Sequence, residues 1–284
     1  MSETIRAFFH EPTCTATYVV ESEGRAAIID SVLDYDPASG KTETRAADEI
    51  IDYLRRAELT VDWILETHVH ADHLTAAPYL RDSVGGKVGI GENVCAVQKT
   101  FQEIFNLQDG FTPDGTQFDH LFADNEKFEL GGVTGFAMHT PGHTPACVSY
   151  CIGDAIFVGD TIFMPDFGTA RCDFPGGDSR ILYGSIKRIL GLPPETRVFV
   201  GHDYAPGDRS FAWESTVAQQ RSGNKHVRDG VDEASFVAMR SARDAELKLP
   251  ALILPSVQVN IRGGAMPPAE SNGLSYLKIP LNAF

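Results

Sequence analysis

The residue types best suited to chemistry are concentrated in one short stretch, Thr67-His68-Val69-His70-Ala71-Asp72-His73. This stretch follows an apolar run that predicts a β-strand. In an extended segment residues two apart point the same way, so we expect His68 and His70 to face one point. We expect Asp72 and His73, at the turn that follows, to face a second point beside the first. Three imidazoles and a carboxylate so close together indicate a divalent metal site.

Three more ligand-type residues follow apolar runs further along the chain. They occur in Thr140-Pro141-Gly142-His143-Thr144, in Val158-Gly159-Asp160 and in Val200-Gly201-His202-Asp203-Tyr204. Each stands next to a glycine after a strand-like run, a position where a scaffold commonly holds functional loops. The full set of candidate metal ligands is His68, His70, Asp72, His73, His143, Asp160 and His202.

These seven residues allow two kinds of metal chemistry. If all seven bind, they form a dinuclear site, which lowers the pKa of a bound water for attack on a carbonyl or phosphate group. If only two of the histidines and one carboxylate bind, they form a 2-His-1-carboxylate triad with open positions, which suits non-haem Fe(II) and O₂. The residue types alone leave both alternatives open.

The elements that must position these residues follow from the hydrophobic pattern. Strands alternate with hairpins and helices, which predicts the α/β (α+β) class with sheets covered by helices. We expect one domain over residues 1–284, with a C-terminal extension from about residue 205. The predicted strands are 15–20, 25–30, 61–65, 87–90, 128–130, 133–138, 147–152, 155–158 and 197–200; helices are predicted over 45–57, 181–190 and within 211–246, and a loop over 34–44.

Composition excludes several classes of function. The 284 residues carry 24 Lys and Arg against 39 Asp and Glu, a formal net charge of −15. That charge disfavours a nucleic-acid partner and docking on anionic lipid. No apolar run approaches the ~18 residues that a membrane span needs. The N-terminus resembles neither a secretory signal nor a transit peptide. The five cysteines form no C-x-x-C pair, so we expect a reducing, cytoplasmic compartment.

The order His-x-His-x-Asp-His, then His, Asp and His resembles the metallo-β-lactamase superfamily. That resemblance implies a four-layer αββα sandwich with metal at one edge of its two sheets. Around the ligands the chain is similar to persulfide dioxygenases (sulfur dioxygenases). Leu74-Thr75-Ala76-Ala77 stands where glyoxalase II-type hydrolases usually carry Gly-Gly. The other similar segments are Gly168–Phe174, Gly201–Tyr204 and the closing stretch that includes Val259-Asn260-Ile261-Arg262.

The resemblance implies that glutathione persulfide, O₂ and water are converted to glutathione and sulfite. It implies one Fe(II) per chain, held by His68, His143 and Asp160. Arg171 and Tyr204 match residues near the family's substrate and iron, so they become candidate catalytic and substrate-binding residues. We expect a homo-oligomer, either a dimer or a tetramer. The ligand-type residues that remain as candidate catalytic residues, holding waters and orienting ligands, are His70, Asp72, His73 and His202.

The principal alternative is a dinuclear-zinc thioester hydrolase of the glyoxalase II type, a hydroxyacylglutathione hydrolase. It would share the fold and the glutathione part of the substrate. A metal-dependent nuclease of the same superfamily is disfavoured by the net charge of −15. A non-catalytic binding protein is disfavoured because the ligand set is complete.

Overall fold

The computed structural model describes residues 3–107 and 110–283 of the chain. Its first six-stranded sheet has the order β1-β2-β3-β6-β7-β8. The pairs β1/β2 and β2/β3 are antiparallel, whereas β3, β6, β7 and β8 run parallel to one another. The strands are β1 (Thr4–His10), β2 (Thr15–Ser22), β3 (Arg25–Ile29), β6 (Thr60–Leu65), β7 (Lys87–Gly91) and β8 (His120–Phe122).

The second six-stranded sheet has the order β14-β13-β12-β11-β10-β9. It is antiparallel except for the parallel pair β12/β13. Its strands are β9 (Lys127–Leu130), β10 (Val133–His139), β11 (Val148–Ile152), β12 (Ala155–Phe157), β13 (Arg197–Phe199) and β14 (Glu214–Thr216). A separate two-stranded hairpin pairs β4 (Asp34–Asp36) with β5 (Lys41–Glu43).

The helices cover the outer faces of both sheets. Those packed on the first sheet are α1 (Arg45–Arg56), α2 (Ala77–Val84), α3 (Val94–Ile104) and α7 (Ile253–Asn260). Those packed on the second sheet are α4 (Ser179–Leu190), α5 (Val217–Gly223) and α6 (Glu233–Asp244). None of the helices in the described ranges is long and apolar enough to cross a membrane.

Three buried clusters hold the layers together. One lies between the first sheet and its helices, where Ile28 and Ile64 meet Ile50 and Leu54 of α1. A second lies under α4 and α6. The third joins the inner faces of the two sheets through aromatic side chains, and Tyr18 contacts both Phe157 and Phe199. The result is the predicted four-layer αββα sandwich, because each sheet buries one face on helices and the other on its partner sheet.

The sequence-based expectations differ from the structure in several places, and the strands β1 and β8 and the helix α7 are among the elements that were not predicted. Residues 34–44, predicted as a loop, contain the hairpin β4–β5. The helices α2 and α3 also lie where no element was predicted, because their apolar positions are interrupted by polar residues. The polar segment after residue 211 begins with a strand, β14, which pairs with β13 and extends the second sheet.

Candidate metal centre

The candidate ligands lie on loops that leave strands of both sheets. The stretch His68–His73 follows β6, His143 follows β10, Asp160 follows β12 and His202 follows β13. All five histidines are buried. The loops of two sheets that pack face to face therefore meet at one edge and enclose the side chains there.

The ligand atoms fall into two neighbouring sets. One donor atom each from His68, His143 and Asp160 lie within 4.8 Å of one another, and so do donor atoms from His70, Asp72 and His73. The pairing of His68 with His70 at one point was expected from strand geometry. The rings of His68 and His70 do lie side by side, with centroids 4.2 Å apart, but the donor atom of His70 is grouped with those of Asp72 and His73. The reason is that β6 ends at Leu65 and the histidines lie on an irregular loop.

The Nδ1 atoms of four of these histidines face outward, where the protein holds them. The Nδ1 atom of His143 donates to the backbone oxygen of Arg171 at 2.8 Å. The remaining outward contacts are His68 Nδ1 with Thr67 Oγ1 at 3.0 Å, His73 Nδ1 with Asp72 at 3.3 Å, and His202 Nδ1 with the Cys14 oxygen at 3.3 Å. Such contacts fix the tautomer and ring direction and leave the other nitrogen free to bind a metal.

His70 is held through its Nε2 atom, whereas the other four histidines are held through Nδ1. Its Nε2 atom lies 3.0 Å from Glu66 Oε2 and 3.2 Å from Asp30 Oδ1. Burial opposes charge on this ring, but the two facing carboxylates outweigh it and hold the pKa of His70 well above its usual value. The Nδ1 atom of His70 therefore points toward the other ligands.

A metal ion fits this arrangement. Among the described residues, the buried atoms left without any hydrogen-bond partner include His68 Nε2, His70 Nδ1, His73 Nε2 and Asp160 Oδ1. Buried polar atoms are rarely left unpaired, and nitrogen and carboxylate oxygen atoms that converge in this way are what a divalent cation binds. The fit supports metal binding, while the identity of the metal is set by neither the donors nor their spacing.

The pKa values of the ligand side chains are shifted by burial and by neighbouring charges. Burial and the nearby His70 lower the pKa of His73 to about 4, and the same two causes hold the pKa of His68 well below its usual value. Neutral imidazoles are the form that binds metal. Burial raises the pKa of the Asp160 carboxyl. The pKa of His202 is raised by Asp160 and Asp72 in spite of its burial.

A cavity of about 460 Å³ opens onto Asp72, His143 and Asp160. Its walls include both of the substrate-binding residues predicted from the sequence, Arg171 and Tyr204. The ring of Tyr204 packs against that of Phe167 in a tilted arrangement, with ring centroids 4.7 Å apart. The structure therefore brings all nine predicted site residues to one place, although their individual roles stay predictions.

The arginines around the cavity differ in how they are used. The guanidinium of Arg171 donates to both carboxylate oxygens of Asp173 and to the backbone oxygen of Lys248. The buried Arg240 pairs with Asp244. In the part of the chain that the structure describes, Arg243 makes neither an ion pair nor a side-chain hydrogen bond, although it also lines the cavity. Arg240 is buried, whereas Arg243 is exposed.

Sequence reasoning missed four residues that support the site or line its cavity. They are Asp30, Glu66 and Asn260, which hold the loop of His70, and Arg243. Asp30 directly follows β3, which pairs in parallel with β6, so a carboxylate after a parallel strand was a usable signal. Glu66 stands four residues before His70, and that spacing was a second usable signal. Asn260 offered no local pattern, because it reaches the loop from 190 positions away in the chain.

A comparison with protein-family models matches residues 13–202 to the metallo-beta-lactamase superfamily. The chain belongs to this superfamily. The match spans the four loops that carry the ligands, and it agrees with the sandwich fold described above. The chain thus has the architecture and the metal-ligand set of an enzyme superfamily.

Relatives within the metallo-beta-lactamase superfamily carry different names. A Burkholderia pseudomallei protein named as a probable metallo-hydrolase is 53% identical over 292 residues, which cover 99% of each chain. Glyoxylase B2 of Dictyostelium discoideum is 53% identical over 264 residues, 92% of this chain and 90% of that one. The human mitochondrial persulfide dioxygenase ETHE1 is 27% identical over 269 residues, 93% of this chain and 90% of that one.

Among solved structures of the superfamily, ETHE1 from Myxococcus xanthus is similar over most of the chain. It superposes with a TM-score of 0.74 at 26% identity, covering 92% of this chain and all of the other. The names borne by the half-identical relatives favour a hydrolase more than a dioxygenase, whereas this structural likeness is to a protein titled ETHE1.

Proposed function

We propose that the chain is a non-haem iron dioxygenase that oxidises glutathione persulfide with O₂ and water to glutathione and sulfite. The observation that carries the proposal is the first ligand set. The donor atoms of His68, His143 and Asp160 lie within 4.8 Å of one another, and His70 belongs to a different set. Two imidazoles and one carboxylate on one side of a centre form the facial triad that non-haem Fe(II) enzymes use.

Ferrous iron held by this triad would supply adjacent open positions where the persulfide sulfur and O₂ can be brought together. The chain's own residues then orient and enclose the reactants. The carboxylates of Asp30 and Glu66 keep the His70 ring fixed at the edge of the triad. Asp72 Oδ2 and His202 Nε2 lie 3.3 Å apart, and His202 Nε2 is also 3.4 Å from Asp160 Oδ1, so these two residues can hold water beside the triad.

The cavity suits a small anionic thiol compound. Its volume of about 460 Å³ is in the range typical of small-ligand pockets. Glutathione persulfide carries two carboxylates, and Arg243 is a cavity cation free to pair with one of them. Arg171 already has a carboxylate partner, Asp173, so it contributes to substrate binding only as part of that pair. The proposal therefore assigns the charge recognition to Arg243 and the wall of the cavity to Arg171 and Tyr204.

The second candidate is a thioester hydrolase of the glyoxalase II type with two metal ions. It is favoured by the names of the half-identical relatives, a metallo-hydrolase and a glyoxylase. It is also compatible with the unpaired Nδ1 of His70 and Nε2 of His73, which could serve a second metal. On names alone this candidate has the stronger support, and the proposal above rests on the geometry of the triad.

Metal analysis and oxygen uptake separate the two candidates. The dioxygenase predicts about one iron per chain after anaerobic iron loading and O₂ consumption that starts on addition of glutathione persulfide. The hydrolase predicts about two metal ions and release of free thiol from S-lactoylglutathione without O₂ uptake. An enzyme that hydrolyses the thioester and consumes no oxygen with the persulfide would refute the dioxygenase.

A pair of variants sharpens the comparison. In the mononuclear arrangement His143→Ala loses the iron, whereas His70→Ala keeps it. In the dinuclear arrangement both substitutions lower the metal content. His73→Ala provides a second test of the same set in case loss of His70 disturbs its buried carboxylate partners.

A further inference from the structure

Asn260 is a buried amide that connects the C-terminal end of α7 to the ligand loop. It is 3% exposed and lies 190 residues from His70 in the chain. Its Nδ2 group donates to the backbone oxygens of His70 at 2.9 Å and His73 at 2.8 Å. Its Oδ1 atom accepts from the backbone N–H of Thr75 at 3.0 Å. One side chain thus satisfies three backbone groups of the loop over residues 70–75.

The same loop is held from its other side by Glu66. The Oε1 atom of Glu66 accepts from the Thr75 hydroxyl at 2.6 Å, and its Oε2 atom faces His70 Nε2 at 3.0 Å. The loop has no helix or strand of its own over residues 68–73. Its conformation therefore depends on these side-chain contacts, because buried backbone groups must find partners outside a regular ladder.

The two carbonyl groups that Asn260 binds belong to the two histidines of the second ligand set. Fixing the peptide planes at His70 and His73 fixes the direction in which Cα–Cβ bonds leave the loop, and with it the positions of His70 Nδ1, Asp72 and His73 Nε2. No ligand atom is touched by Asn260 itself. Its effect on the metal site must pass through the backbone of the loop.

We propose that Asn260 is a positioning residue for the metal centre. Through its two N–H groups the segment after residue 250 becomes a structural part of the site, although that segment supplies none of the seven candidate ligands. The proposal does not depend on the reaction catalysed, because His68 of the first ligand set leaves the same irregular loop as His70, Asp72 and His73 of the second, and a displaced loop backbone moves all four. The proposal predicts that the protein retains its metal less well when the Asn260 amide is removed.

Cobalt(II) loaded into the full-length protein is a direct probe, because its visible spectrum reports ligand geometry and its release to a chelator reports retention. We expect Asn260→Ala to release cobalt at least about tenfold faster than the wild type, the scale on which outer partners of metal ligands act. We expect its absorption bands to shift as well. Asn260→Asp keeps the acceptor for Thr75 but removes both donors, so it should resemble Asn260→Ala in release rate.

Asn224→Ala is the matched control. Asn224 is also fully buried, and its side chain makes four hydrogen bonds, to Gly168, Gln220, His226 and Val227. We expect it to lose unfolding free energy to a similar degree while its cobalt spectrum and release rate stay those of the wild type. Cobalt release from the Asn260 variants no faster than from Asn224→Ala, with unchanged bands, would overturn the proposal. Should Asn260→Ala not fold, Asn260→Asp carries the same test.

Discussion

Arg171 and Asp173 form a bidentate ion pair at the wall of the cavity. The Nε and Nη2 groups of the arginine donate to the two carboxylate oxygens. The Nη1 group of Arg171 donates to the backbone oxygen of Lys248. Three of the five N–H groups of Arg171 are thereby committed, and the Asp173 carboxylate offsets its charge. Among the described residues that line the cavity, Arg243 is the arginine without a carboxylate partner.

Replacement of Arg243 should weaken substrate binding. Arg243→Gln removes a charge-assisted contact to a carboxylate, so we expect the Kd for glutathione to rise roughly tenfold. Isothermal titration with glutathione and with its diethyl ester measures this, because the ester lacks the carboxylates and should bind both proteins alike. Arg228→Gln, at an exposed arginine that pairs only with a backbone oxygen, is the control. An equal loss of affinity for the ester would assign the effect to something other than charge.

Metal removal should destabilise the protein. Four buried donor atoms in the ligand loops have no partner without a cation, so the bound metal favours the folded state by mass action. We expect chelation to lower the free energy of unfolding by about 3 kcal/mol for a metal present at hundreds of times its Kd. Asp160→Asn removes the ligand charge and should abolish the difference between chelated and metal-loaded protein in thermal unfolding.

The control for that measurement is Asp62→Asn, which breaks a surface ion pair with Arg25 far from the ligands. This variant should keep the full chelator-dependent shift in Tm. If Asp160→Asn also keeps it, Asp160 is not a metal ligand.

The sequence predicted the ligand loops well because their motifs are local. Each ligand follows a short apolar run, and strands of that kind are recognised from their pattern. The direction of His70 could not be predicted in the same way. Strand alternation does not apply beyond Leu65, where β6 ends. The ring is held by Asp30 and Glu66, and the sequence pattern does not show that both carboxylates turn toward it.

The same reasoning explains the other side-chain contacts that the sequence did not predict. Arg171 can pair with Asp173 or with a substrate carboxylate, and the positions of these residues in the sequence do not show which of the two contacts it makes. The contact between Asn260 and His70 joins residues 190 positions apart. Pairings of this kind are fixed by how the layers pack, which depends on the whole chain rather than on a segment of it.

The turn that carries His143 should not tolerate a side chain at Gly142. Gly142 has φ of +135°, and an added Cβ would lie 2.3 Å from the Cα atom of Leu182 in α4. Because the clash is with backbone, we expect Gly142→Ala to cost at least about 2 kcal/mol of unfolding free energy and to weaken metal retention. Urea unfolding and metal analysis test both parts.

We expect the opposite effect on stability from a substitution at Gly184, which lies in the same helix as Leu182. It lies exposed in the middle of α4, and nothing lies within 4 Å of an added Cβ. Gly184→Ala should therefore stabilise the protein by about 0.5–1 kcal/mol, the helix preference of alanine over glycine. A loss of stability in Gly184→Ala as large as that in Gly142→Ala would show that α4 itself, and not the turn, is sensitive.

Stability should fall at acidic pH in part through His226. Its Nδ1 atom accepts from the backbone N–H of Thr169 at 3.0 Å, and burial together with Arg240 lowers its pKa to about 3. Between pH 6.5 and about 3 the unfolded chain binds a proton here that the folded chain does not, so stability decreases as the pH falls through this window. From pH 7 to pH 5 the loss amounts to about 2 kcal/mol. In His226→Asn the amide oxygen can still accept from Thr169 but cannot titrate. Its unfolding free energy, measured by urea titration at each pH, should therefore decline less steeply than that of the wild type, and parallel curves would exclude His226 as the group responsible.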